Sequence, residues 1–305
     1  DMEAAGIPRP KWQRLHAAYF KTGYLVIITE VPCAEEEIFK RFAQVFDQTY
    51  TRFLDLQKAE AQAREAQINL AVERVRARAL AMNKSEDILD VVFKLKEELM
   101  GLDISGVAAA TILLKESDGR VRSWDLTSME QAGDKMNITS DILFDLEKTH
   151  PDFYQREIWA KGNTYLVVTQ DSTSLQISTN WLRDHGKFME AEEAEKFIAS
   201  ARIEKVYHPS VPLAKGRMVI DLLESPQGEV KSILTKMAAA FDLAYKRFED
   251  LQKAESQAKE AQIELSLERI RSKVTSMQES TDLLDIMVSI RSEFVSLGHE
   301  AHYFW

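Results

Sequence analysis

The segment Tyr50-Thr51-Arg52-Phe53-Leu54-Asp55-Leu56-Gln57-Lys58-Ala59-Glu60 returns as Tyr245-Lys246-Arg247-Phe248-Glu249-Asp250-Leu251-Gln252-Lys253-Ala254-Glu255. The 195-residue offset holds without a gap as far as Met82 and Met277. Solenoid repeats run to roughly 20–50 residues, so this period is too long for one. It fits a whole domain plus a connecting helix, present more than once. The chain is a tandem array, and its function belongs to the repeated domain and its connector.

Outward from the repeat, Cys33–Met100 and Glu229–Leu297 contain neither Gly nor Pro and are rich in strong helix formers. Asn83 and Glu86 are spaced as a capping box, and Gln278-Glu279-Ser280-Thr281-Asp282 carries similar capping residues. One helix is therefore expected to end near residue 82 (and 277), with the next starting there. Leu56, Ala59, Ala63, Ala66 and Leu70 follow 3-4 spacing, matched by Leu251, Ala254, Ala258, Ala261 and Leu265. A second frame, Ile68, Val72, Val75, Ala79 and Met82, recurs as Ile263, Leu267, Ile270, Val274 and Met277, so the apolar face changes near residue 70. Heptad logic reads the stripe as the thin, Ala-rich seam of a parallel homodimer. The competing reading is that these residues cover the helix's own domain.

The 305 residues carry a formal net charge of −10, which advertises no basic surface for nucleic acid. The single cysteine, Cys33, excludes an intrachain disulfide and any cysteine-based zinc site. No apolar run approaches the ~18–20 residues of a membrane span and no signal peptide is visible, so a cytoplasmic location is expected. The opening on Asp1 and the apolar end Tyr303-Phe304-Trp305 read as an internal piece of a longer protein.

Residues 103–225 read as mixed α and β. Strands are expected at Ser105–Lys115 and Arg120–Thr127 around the Asp118-Gly119 turn, then at Thr164–Gln170, Ile203–Leu213 and Arg217–Leu223. Helices are expected at Ile138–Thr149, Thr173–His185 and Met189–Ala201, with a long exit helix after Gly228. The fold class is α+β: about five antiparallel strands with flanking helices, and domains joined by long coiled-coil helices. His16…Gly23-Tyr24-Leu25-Val26-Ile27 parallels His208…Gly216-Arg217-Met218-Val219-Ile220, and Asp282-Leu283-Leu284-Asp285 parallels Asp87-Ile88-Leu89-Asp90. The layout is then a domain tail (1–47), a connector (48–84), a complete domain (85–242), a second connector (243–279) and a domain head (280–305).

That order of helix, hairpin strands, intervening helices, two final strands and exit helix resembles the GAF-like sensory domain. More specific is Ala59-Glu60-Ala61-Gln62-Ala63-Arg64-Glu65-Ala66-Gln67 followed by Leu70-Ala71-Val72-Glu73-Arg74-Val75-Arg76-Ala77-Arg78-Ala79. It looks like the connector between tandem GAF-type domains of multidomain bacterial sensor histidine kinases, of the kind found in Bacteroidota. The resemblance implies sensory input and relay, with output beyond residue 305.

No catalytic motif is present: no phospho-acceptor His followed by acidic and basic residues, no Gly-rich ATP lid, no Walker loop, no His-Glu-x-x-His and no Gly-x-Ser-x-Gly. This segment is expected to be no enzyme and to hold no metal. Of the histidines, His16 and His208 hold matching places, each better read as structural than as a ligand, and His299 with His302 makes a weak pair. By analogy with GAF-type pockets, Trp124, Tyr154, Trp159, Tyr165 and Tyr207 are the candidate ligand-binding residues. The cofactor is unknown. Three readings stay open: a sensory input region with a small-molecule ligand, a ligand-free dimerisation spacer, and the input region of a transcription factor or nucleotide cyclase.

Overall fold

The computed structural model describes residues 12–35, 37–131, 134–279 and 281–300, with the backbone alone at 129–131 and 134–136. His302 and the 303–305 end lie outside the described residues. The chain divides into two compact units, Asp1–Asn69 and Leu70–Trp305.

In the first unit, β1 (Arg14–Phe20) and β2 (Gly23–Thr29) form an antiparallel hairpin, followed by helix α1 (Glu37–Leu80). The ring of His16 lies 4.6 Å from that of Phe39, and its Nε2 is 3.1 Å from Thr29 Oγ1.

The second unit begins with the end of α1, followed by α2 (Ile88–Gly101). The Asn83–Glu86 capping box does not form. Instead the Asp87 carboxylate accepts from the N–H groups of Asn83 and Lys84, at 2.8 and 3.2 Å. Asp282 does the same for Gln278 and Glu279, at 2.9 and 3.1 Å. A carboxylate one position further on reaches both free donors at once, which Glu86 does not.

Six strands follow: β3 (Val107–Lys115), β4 (Val121–Gln131), β5 (Asp134–Phe144), β6 (Leu166–Asp171), β7 (Lys205–Leu213) and β8 (Gly216–Leu222). They form one antiparallel sheet in the order β5-β4-β3-β8-β7-β6. The expected Asp-Gly hairpin joins β3 and β4, with Gly119 at φ +90°.

The expectation of a helix over Ile138–Thr149 is corrected: residues through Phe144 are strand β5, and only Leu146–Lys148 form a 3-10 turn. The period is two, not 3.6. Ser140, Ile142 and Phe144 are buried on one face, while Asp141 and Leu143 are exposed on the other. Arg122 of β4 grips Asp141 with two hydrogen bonds of 2.7 Å, fixing the pairing.

One sheet face is covered by α3 (Tyr154–Ala160), α4 (Ser172–Asp184) and α5 (Phe188–Ser200). The other is covered by α2 and the start of α6 (Val230–Thr275). Helix α2 buries Ile88, Val91, Val92, Leu95 and Leu99 at helical spacing. Helix α6 buries Val230, Ile233, Met237 and Phe241, of which Phe241 alone contributes roughly 2 kcal/mol. Beyond Phe248 it leaves this core, and α7 (Asp282–Ser296) folds back along it.

The two connector frames have different fates. The first, Leu56 to Leu70 and Leu251 to Leu265, is exposed throughout. In the second frame, Val75, Ala79 and Met82 are buried. Their equivalents Ile270, Val274 and Met277 are half-buried or exposed. Arg74 pairs with Glu98 and Arg269 with Glu293, each at 3.3 Å, so both connector ends are registered against the following helix of the same chain.

Candidate functional site

A cavity of roughly 160 Å³ lies between the sheet and α3–α5. All six strands send at least one polar side chain to its floor: Thr111, Asp125, Ser140, Gln170, His208 and Asp221. Strand β4 supplies three at alternating positions, Ser123, Asp125 and Thr127, while its other face presents Trp124 and Leu126 to the α2 side. Ala108 and Ala109 leave the space that larger β3 residues would fill. The roof is apolar, with Phe153, Leu175, Trp181 and Phe197 prominent.

The hydrogen bonds determine where the protons are. Gln170 Nε2 donates to the Ser174 carbonyl (2.9 Å) and to Ser178 Oγ (3.0 Å), which fixes the amide orientation. Its Oε1 then accepts from His208 Nε2 at 2.9 Å. The other ring nitrogen, Nδ1, is 2.6 Å from Asp221 Oδ1. The imidazole is thus held at both ring nitrogens, by strand β6 on one side and strand β8 on the other. The Tyr154 ring stacks on His208 at 4.2 Å, and burial raises its hydroxyl pKa well above the ordinary value.

Asp125 is the group left over. It accepts from Thr111 Oγ1 at 2.8 Å and Thr127 Oγ1 at 3.0 Å, and the Lys96 ammonium acts on it only through space. The buried ammonium of Lys96, approaching from α2, donates instead to the Ala108 carbonyl. Desolvation, reinforced by Asp221, pushes Asp125 up to about 7 against the two hydroxyls and the distant Lys96. Desolvation also lowers Lys96, to about 8. Part of the Asp125 surface remains accessible although protein surrounds the group; that surface is the cavity wall.

Among the described residues four buried side-chain polar atoms have no partner, and two of them belong to residues that line the cavity. Gln155, only 2% exposed, donates through Nε2 to Tyr154 OH at 3.2 Å and leaves Oε1 unbonded. Trp181 Nε1 is likewise buried and unbonded. Buried unpaired groups destabilise a fold by about 1–3 kcal/mol each, and both residues line the cavity. A clamp closes the roof: Glu195 of α5 accepts from Arg183, and from Gln176 at 2.9 Å, both on α4. Arg183 chiefly, then Gln176, holds that carboxylate down to about 2.

Of the five residues named from sequence, only Tyr154 lines the cavity. Trp124 and Tyr207 neighbour Asp125 and His208 in their strands, and alternation turns them to the opposite sheet face. Trp159 packs against the cluster around Phe144 and Ile158. Tyr165 sits beneath the Lys231 ammonium, 5.6 Å from its ring centre. Aromatic content was a weak guide. The stronger signal was Ser123-x-Asp125-x-Thr127, polar on one face of a strand whose other face is apolar.

Asp125 makes stability pH-dependent in a definite direction. Its folded value of about 7 lies above the ordinary 3.8, so the folded chain keeps a proton that the unfolded chain releases. Its contribution is therefore fully present below about pH 4 and is lost as pH rises through 7. Asp125→Asn is expected to remove this decline, with Lys96, His208, Tyr154 and Asp221 still facing the position. Urea unfolding at several pH values checks it; an unchanged slope in the variant refutes the assignment.

Among the described residues, no three His, Cys, Asp or Glu side chains come together as metal ligands would, and no helix is long and apolar enough to cross a membrane. Compared with known proteins, the chain matches no family model and no curated protein sequence.

Proposed function

We propose that residues 85–242 form a small-molecule-sensing domain and that the connector helices pass its state along the chain. The observation that carries this reading is the cavity between the sheet and α3–α5, lined by Gln155, whose Oε1 is buried and unbonded. A purely structural core gains nothing from an unpaired amide oxygen, whereas a ligand donor satisfies it. The order of hairpin, intervening helices, final strand pair and long exit helix supports a GAF-like domain. The connector phrase supports a bacterial signalling protein, a sensor histidine kinase by resemblance, whose output lies C-terminal of this segment.

The relay runs through a parallel homodimer seamed by the exposed first frame, Leu251, Ala254, Ala258, Ala261 and Leu265, and by its counterpart Leu56, Ala59, Ala63, Ala66 and Leu70. Small Ala side chains make a shallow interface in which two registers differ little in energy. In the first connector most of the second frame is buried within its own chain, and in both an Arg–Glu pair ties the connector end to the next helix, so a shift of the seam reaches that helix directly.

Crosslinking tests the geometry. In a Cys33→Ser background, Ala258→Cys is expected to form an interchain disulfide in high yield, because a parallel, in-register pair brings the two Cα atoms within about 7 Å. Leu251→Glu with Leu265→Glu is expected to convert the dimer to monomer by sedimentation velocity at tens of micromolar. A wild-type chain that sediments as a monomer under those conditions overturns the relay.

A further inference from the structure

We propose that the cavity is selective for a small organic monocation, a protonated amine or amidine on an apolar body no larger than one aromatic ring. The charged head lies at Asp125 and Gln155, and the body lies under Phe153, Trp181 and Phe197. This rests on the reading of residues 85–242 as a sensing domain and specifies its ligand class.

Charge decides against an anion. The charged or titratable groups on the floor are Asp125, Asp221 and His208, and no Arg or Lys is among the lining residues. His208 is held at both ring nitrogens, by Gln170 and by Asp221. Lys96, the nearest cation, is bonded to the Ala108 carbonyl. An anion would therefore enter beside an uncompensated carboxyl.

The hydrogen-bond inventory agrees. The threonine hydroxyls spend their protons on Asp125 and keep lone pairs to accept with. Acceptors on the lining residues thus outnumber unbonded donors: the remaining Asp125 lone pairs, the two Thr oxygens and the unbonded Gln155 Oε1, against Trp181 Nε1 in the roof. An ammonium carries three N–H donors and an amidinium four, which suits that set. A hydrogen bond between ionised partners is about twice as strong as a neutral one, so the cation is preferred over a neutral isostere. The raised Asp125 carboxyl is consistent with a group lacking the cation it is placed to meet.

Size sets the other limit. The cavity, at roughly 160 Å³, is close to the ~150 Å³ of an engineered apolar cavity that admits benzene. The aromatic roof adds a cation–π contribution for a charge seated below it.

Titration calorimetry of the 305-residue chain with benzylamine, benzyl alcohol and benzoate separates the cases, since the three differ in charge at nearly constant size. Benzylamine is expected to bind at least about tenfold more tightly than benzyl alcohol, with benzoate weakest. Asp125→Asn is expected to remove that preference while leaving benzyl alcohol within about threefold. Gln155→Leu, a milder change, is expected to weaken benzylamine severalfold and serves if the first variant does not fold. Tighter binding of benzyl alcohol or benzoate, or unchanged benzylamine binding in both variants, overturns the cation assignment and leaves the sensing domain standing. Absence of binding by all three at millimolar concentration overturns the proposal and counts against the sensing reading as well.

Discussion

Gly216→Ala is expected to destabilise the second unit by about 3 kcal/mol or more, placing it in the severe tail of single substitutions. A Cβ at this position would stand well inside van der Waals contact of the Leu113 carbonyl oxygen. It would also lie 2.9 Å from Leu113 C and 3.0 Å from Leu114 Cα. All three are backbone atoms of β3, which is hydrogen-bonded on one side to β4 and on the other to β8. Neither side yields without breaking ladder bonds. The turn before Gly216 is fixed too: Ala214 N–H donates to both oxygens of Asp242 at 3.0 Å, and Lys115 N–H donates to the Lys215 carbonyl at 2.8 Å.

Two controls isolate the cause. Gly119, at φ +90° with open space around it, is expected to cost only about 1 kcal/mol as Ala, from backbone conformation alone. Gly23, the counterpart of Gly216 in the first unit, meets only the ring of Phe20, at 3.2 Å, and a side chain gives way. Thermal unfolding checks the series. At about 2–4 °C per kcal/mol for a unit of this size, Gly216→Ala should melt roughly 6–12 °C lower. A shift near that of Gly119→Ala would mean that β3 and β8 separate more easily than their pairing implies.

The same pair of glycines shows what the sequence alone conveys. The match of Gly23 to Gly216 is legible, as are the repeat, the helix ends near residues 80 and 275, and most strands. Each of these rests on local pattern. The weight each glycine carries is not local: it depends on whether a third strand lies beside the hairpin. The cavity was hidden for the same reason. Its floor takes one residue or a few from each of six strands spread from Thr111 to Asp221, so no window of the sequence holds the site. Strand β5 reads as a helix from its sequence because Ile138, Ile142 and Leu146 stand four residues apart. The alternation of Ser140 with Asp141 decides between the two only once Asp125 is known to lie opposite Ser140 and Arg122 to bond Asp141 across the strands.

Arg217→Met should cost about 2–4 kcal/mol, although it removes a buried charge whose hydrogen bonds run to a hydroxyl and to backbone carbonyls. The side chain is 3% exposed, and desolvation lowers its pKa. On that ground alone, a methionine of similar length would be favoured. The opposing term is larger. Nη1 donates to the Gly162 carbonyl at 2.6 Å, Nη2 to the Thr164 carbonyl at 2.8 Å, and Nε to Ser210 Oγ at 2.8 Å. Methionine leaves two backbone carbonyls and a hydroxyl without their donor, at about 1–3 kcal/mol for each that stays dry.

The consequence is local before it is global. Residues 161–165 join α3 to β6, and these two elements carry Tyr154, Gln155 and Gln170 into the cavity. Freed from Arg217, the loop should exchange its amide hydrogens faster than the rest of the sheet, and benzylamine binding should weaken in parallel. Arg217→Lys, which keeps the charge but has no planar fork to span both carbonyls, should fall between. Hydrogen exchange read residue by residue checks this. Unchanged protection across Gly162–Leu166 in the methionine variant would show that something other than the guanidinium holds α3 against the sheet.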